Sequence, residues 1–176
     1  MNIKDKYKMY IKGKNENYDI EKIVKKLPDN TTITKDILQK LDNKTTKMVS
    51  DDDIKGNYYV FLNDTIYLSN KNTNKYNRLT VICHECVHSI QNKALQLINF
   101  IFSNIEIIAF VILLFLKIFN AFDGKFVYVA IVAISLIPRF ILEIDASLSS
   151  IKLTKEYVNK KLDGTKAEFV NKIVKF

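Results

Sequence analysis

The chain has 176 residues, 48% of them apolar, and a net charge of +8, which suits one domain-sized unit rather than a string of modules. Its lysines are scattered and mixed with acids instead of gathered on one arginine-rich face, which argues against nucleic acid as the partner. Only five charged residues, Glu106, Lys117, Asp123, Lys125 and Arg139, fall between Ala94 and Leu142, so a greasy middle is flanked by two polar, basic ends.

Met1 to Lys26 is polar and lacks the apolar central run of a cleavable secretion signal. Any targeting to a membrane is therefore expected from the internal apolar segments. Between Tyr18 and Leu41 the apolar positions Ile20, Ile23, Val24 and Leu27, then Ile33, Ile37, Leu38 and Leu41, predict two short amphipathic helices separated by Pro28-Asp29-Asn30. Thr34 is the expected cap of the second. Asp51-Asp52-Asp53 lacks the spaced ligands, glycine and distant glutamate of a calcium loop and reads as a solvated turn.

Tyr58 to Phe61 and Thr65 to Leu68 are rich in β-branched and aromatic residues, and Asn63-Asp64 between them tolerates a tight turn, so a β-hairpin is expected. From Arg78 to about Leu97 the periodicity is helical without interruption. Leu97 to Leu116 would span about 30 Å as a helix, the thickness of a bilayer's hydrocarbon core. Phe126 to Leu142 forms a second apolar run, with a kink expected at Pro138. The short connection from Lys117 to Lys125 makes the two runs an antiparallel hairpin. With both flanks lysine-rich, the positive-inside rule places both termini in the cytoplasm. From Ser147 on, Leu148, Ile151, Leu153, Tyr157, Val158 and Leu162 continue a helical pattern before a basic end.

His84-Glu85-Cys86-Val87-His88 fits H-E-x-x-H, in which histidines four apart share one helix face and can grip one Zn²⁺. The chain has two histidines, and both are in this motif. A zinc site of this type needs a third protein ligand and one exchangeable position, with the glutamate as general base for hydrolysis. Glu143, in the acidic cluster Glu143-Ile144-Asp145 after the second apolar run, is the expected third ligand, because an antiparallel hairpin returns it to the level of His88. Asp145 is expected either to orient a ligating imidazole or to be a solvated helix-end charge. Cys83 and Cys86 lack a third partner for thiol catalysis and read as reduced packing residues.

Ile66-Tyr67-Leu68-Ser69, the string His84 to Gln91, the apolar spans and Glu143 to Ser147 together resemble the YugP-like zinc metallopeptidases of bacterial membranes, in the gluzincin group with the HtpX-like proteases. The likeness covers roughly Tyr58 to Ser150. It implies zinc held by His84, His88 and Glu143, Glu85 as general base, and a membrane-embedded location. Val87 stands where that family usually has glycine, and the family's usual first membrane segment has no counterpart here. The hairpin and Arg78-Leu79-Thr80-Val81 also resemble the soluble ImmA/IrrE-like proteases, against which the apolar runs argue.

The expectation is thus a mainly α chain with a small β-hairpin: a minimal gluzincin-like metallopeptidase, 1–176, with a two-helix transmembrane hairpin. Its parts are polar helices at 1–57, the hairpin and zinc-motif helix at 58–96, the apolar hairpin at 97–142, and the third-ligand helix with the basic end at 143–176. The expected partners are a membrane-associated polypeptide substrate and the lipid bilayer. Tyr58 to Leu68 is a candidate edge for docking extended substrate. The competing expectation is a non-catalytic membrane interaction, immunity or regulatory protein with a degenerate or structural zinc site, in which Cys83 or another residue adds a fourth ligand.

Overall fold

Helices α1 (Ile20–Lys25) and α2 (Asn30–Lys40) fall where the periodicity puts them. The structure is a computed structural model and describes residues 2–5, 7–8, 20–70, 77–118 and 124–168. The cap of α2 is Asp29, not Thr34: the Asp29 carboxylate accepts from the Thr32 N–H at 2.8 Å. Thr34 lies one turn inside, buried, with its hydroxyl donating to the Asn30 carbonyl at 2.7 Å. An aspartate just after Pro28 meets the first-turn amides of the helix before Thr34 can.

Three strands follow: β1 (Lys47–Asp51), β2 (Tyr58–Val60) and β3 (Thr65–Ser69), in the order β1-β3-β2. The hairpin is β2 and β3, paired antiparallel with Tyr59 opposite Ile66. Asp64 takes the left-handed conformation at φ 48° after a 3₁₀ turn, Phe61–Asn63, as the tight turn at Asn63-Asp64 requires. Strand β1, which the sequence pattern does not reveal, runs parallel to β3. Asp51 ends it, and the Asp53 N–H folds back onto the Asp51 carboxylate at 2.9 Å.

The chain divides into two units, residues 1–90 with 146–176, and residues 91–145. In the first, helix α3 (Arg78–Ile90) buries Leu79, Ile82, Cys83, Cys86 and Val87 along one stripe, the spacing of a helix with one wet face. Ile33 and Ile37 of α2, Ile66 and Leu68 of β3, and Ala146, Leu153 and Val158 complete this core. Arg78 is a buried tie: its guanidinium donates to Asn30 Oδ1 at 2.9 Å and to the carbonyls of Val24, Leu27 and Pro28 at 2.8, 3.2 and 2.9 Å. It thereby satisfies the loose carbonyl end of α1, groups that a helix cannot satisfy itself.

The second unit contains α4 (Lys93–Ile118) and the first half of α5, which runs unbroken from Lys125 to Lys161. The helical pattern expected through Leu97 is interrupted at Gln91-Asn92, where the Asn92 side chain caps α4 by accepting from the Leu95 N–H at 3.1 Å. Both apolar runs are longer helices than the hydropathy alone marks, and α5 continues through Pro138. Residues 119–123 of the expected connection lie outside the described residues. Both helices are long and apolar enough to cross a membrane. Within this unit Ser135 donates to Glu106 at 2.6 Å and Arg139 to Ser103 at 3.1 Å, so the polar residues of the greasy segment meet one another.

Candidate metal centre

Helix α3 presents its metal-binding atoms by rotation alone. Residues 84 and 88 are one turn apart, so both imidazoles leave the same face, at the half-buried margin beside the stripe that enters the core. Their rings meet edge to face, and the two Nε2 atoms lie 3.0 Å apart. Two nitrogens on one tetrahedral zinc, each at about 2.0–2.1 Å, are separated by about 3.4 Å. The observed spacing is within half an ångström of that.

Glu143 is exposed, and among the described residues His84, His88 and Glu143 are a group that could hold a metal ion. Two imidazoles and a carboxylate are a donor set that zinc accepts with one position left over.

Glu85 follows the first histidine and is half-buried. Its Oε2 accepts a hydrogen bond from the backbone N–H of Tyr59 at 2.8 Å. Tyr59 is in β2, and because this N–H goes to Glu85, its pairing with Ile66 is of the type without ladder bonds. The strand is itself held in place. The Tyr59 hydroxyl donates to Asp64 at 2.7 Å, Thr46 donates to the same oxygen at 3.1 Å, and Asn43 donates to Thr46 at 2.8 Å and to Ser89 of α3 at 2.9 Å. Burial, with the adjacent Asp64 carboxylate, raises the Tyr59 phenol well above its ordinary value, so it stays a donor in this chain.

Of the segment Tyr58 to Leu68, β2 forms an edge of the sheet and β3 its centre. β3 is flanked on both sides, and the outward N–H of β2 at Tyr59 belongs to Glu85. Asp145 accepts from the Gln91 amide at 2.7 Å, and the same Gln91 nitrogen donates to the Leu142 carbonyl at 2.8 Å. Gln91 therefore grips the turn of α5 on both sides of Glu143.

Cys83 and Cys86 are free thiols and fully buried, as packing residues should be. Burial pushes the Cys83 thiol up to about 12 and that of Cys86 well above its ordinary value. Both sulfur atoms lie on the buried stripe of α3, beside the face that carries the histidines.

A pocket of about 370 Å³ opens beside His84 and Glu85. Its α3 wall is completed by Thr80 and Val81, and its α5 wall by Ser147, Ser150 and Ile151. The Tyr59 amide, Gln91 and these pocket walls are the features that motif reading misses. Gln91 alone had a signal, its place three residues after His88.

No protein-family model matches the sequence, and comparison with curated proteins and with solved structures returns no match. The geometry defines a class of site, a two-histidine, one-carboxylate group that could hold a metal ion, in a mainly helical chain with two helices of membrane-crossing length.

Proposed function

We propose that this chain is a membrane-associated zinc peptidase that cleaves membrane or membrane-adjacent polypeptides, with Glu85 as general base and His84, His88 and Glu143 as zinc ligands. The observation that carries the reading is the convergence of the His84 and His88 Nε2 atoms, 3.0 Å apart on one face of α3, with Glu85 next in sequence to a ligand. Zinc, when bound, supplies Lewis acidity, which acidifies water and polarises a carbonyl.

The chain's own residues do the rest. Glu85 accepts a proton at a carboxylate oxygen and returns it to the departing amine, and one carboxylate can serve both steps because the intervening transfer is local. The Tyr59 N–H holds that carboxylate in one rotamer, so its orientation is set before substrate arrives. Gln91 steadies the turn that carries Glu143, as partners outside a metal's ligand set generally do.

Membrane residence is supported by α4, whose most apolar window has no buried residue. A core helix of a water-soluble protein would be covered, and side chains such as Ile107, Val111 and Phe115 would not stay more than half exposed in water. The basic flanks on both sides of the apolar segment favour the cytoplasmic side for the site and both termini. The likeness to the YugP-like proteins suggests a bacterial plasma membrane.

The test is direct. The protein purified in detergent should hold about one zinc per chain, and Glu85→Gln should keep the metal while losing at least about a hundredfold in peptide cleavage. A metal-free chain, or a Glu85→Gln variant as active as the parent, would end this reading. Zinc retained without cleavage of any peptide would instead favour a non-catalytic interaction protein with a structural metal.

A further inference from the structure

We propose that the pocket beside His84 and Glu85 is a specificity subsite that takes a bulky, uncharged aliphatic side chain of the substrate next to the bond to be cut. The proposal rests on the zinc peptidase reading above and adds the class of residue selected. Position comes first. Val81, His84 and Glu85 occupy one face of α3, so whatever enters the pocket lies against a ligating ring and the general base.

The opposite wall is hollow because its residues are small. Ser147 and Ser150 stand one turn apart on α5, where larger side chains would fill the space. The Ser150 hydroxyl is buried and already donates to the Ser147 carbonyl at 2.9 Å. It asks for no polar partner from a ligand, and Ile151 and Val81 supply apolar surface.

Charge narrows the choice. Among the described residues no lysine or arginine lines the pocket, and its one acidic wall is Glu85. An acidic side chain would face that carboxylate without a counter-charge, a costly arrangement in a partly desolvated site. A lysine or arginine would pair with Glu85 and so occupy the proton acceptor. A volume of about 370 Å³ leaves ample room for a leucine-sized group, and one that reaches the walls excludes water from them.

The experiment uses two dipeptide hydroxamates, alike except for an isobutyl or a carboxymethyl side chain, titrated calorimetrically into the zinc-loaded full chain in detergent. The hydroxamate anchors on the metal, and the side chain samples the pocket. The isobutyl compound should bind at least about tenfold more tightly, the usual scale of discrimination in an apolar pocket. Ser147→Phe, at an exposed position, should erase that preference with zinc content unchanged, and Ile151→Ser should reduce it, providing a second route if the first variant misfolds.

Equal binding of the two compounds, or a preference untouched by both variants, overturns the subsite with the metal reading intact. If the parent chain holds no zinc and binds neither compound, the metal reading falls and takes the subsite with it. Isobutyl preference in a chain that cuts no peptide keeps the pocket and removes the peptidase.

Discussion

Replacing Tyr59 by proline deletes one hydrogen atom from the candidate site, the backbone hydrogen that meets Glu85. The bond it makes is 2.8 Å long and reaches a carboxylate at a half-buried position. Hydrogen bonds to charged groups contribute about 1.5–3 kcal/mol. At about 1.36 kcal/mol per decade of rate, releasing Glu85 from its rotamer should lower kcat/KM roughly ten- to a hundredfold. Strand β2 is expected to tolerate the change, since the Tyr59 N–H points away from β3 and proline is admitted at such edge positions. The control is Tyr59→Ala, which loses the ring and the hydroxyl bond to Asp64 but keeps the amide. The two variants are compared by initial rates on a fluorogenic peptide, with zinc content and thermal melting measured on the same samples. If Tyr59→Pro matches Tyr59→Ala in rate while both retain zinc, the amide does not orient Glu85 and this account of the base is wrong.

Gln91→Ala should weaken zinc binding by roughly ten- to a hundredfold, the usual cost of losing a supporting partner, as read by competition with a chromogenic chelator; unchanged affinity would show that the grip on Leu142 and Asp145 is irrelevant to Glu143. Arg78→Met leaves the carbonyls of Val24, Leu27 and Pro28 without their donor, and should cost about 1–3 kcal/mol for each acceptor that water cannot reach, with a total loss below about 1 kcal/mol in denaturant unfolding contradicting the structural role. Cys83 has its thiol pushed from an ordinary 9.0 to about 12. The unfolded chain then releases this proton first as pH rises, so the stability contribution is full below about pH 9 and declines from there toward pH 12. Unfolding curves at pH 7 and pH 10 check this, and the native thiols should resist alkylation at pH 8 until the chain is unfolded.

The site was partly legible because α3 is short-range. Two histidines four apart on a strongly periodic segment need only helical geometry to converge, and both apolar runs carry enough residues to announce their length. Glu143 is 55 positions beyond His88 and could be chosen only through the idea of a returning hairpin. Strand β1 escaped because Lys47–Asp51 has only Met48 and Val49 as apolar residues, with no alternation; its partner β3, not its own composition, makes it a strand. The break at Gln91-Asn92 escaped because the apolar rhythm runs across it while an asparagine cap competes only locally. Proline 138 lies inside α5, which is helical on both sides of it: the ring forgoes one backbone bond, and its fixed φ still suits a helix. The Tyr59 amide has no signature at all, since every residue but proline has one.

One consequence of α3 concerns which elements the chain would admit. By turning a hundred degrees at each residue, the helix sends its nitrogen donors outward and its sulfur atoms inward, so Cys83 and Cys86 lie sealed away although each is a near neighbour of a histidine in sequence. A borderline or hard divalent cation finds nitrogen and oxygen here, whereas soft ions such as monovalent copper find no thiolate to hold them. Oxidants that would convert exposed sulfur to acids have little access to these two atoms, and the coordinating face should survive conditions that inactivate thiolate-bound metals.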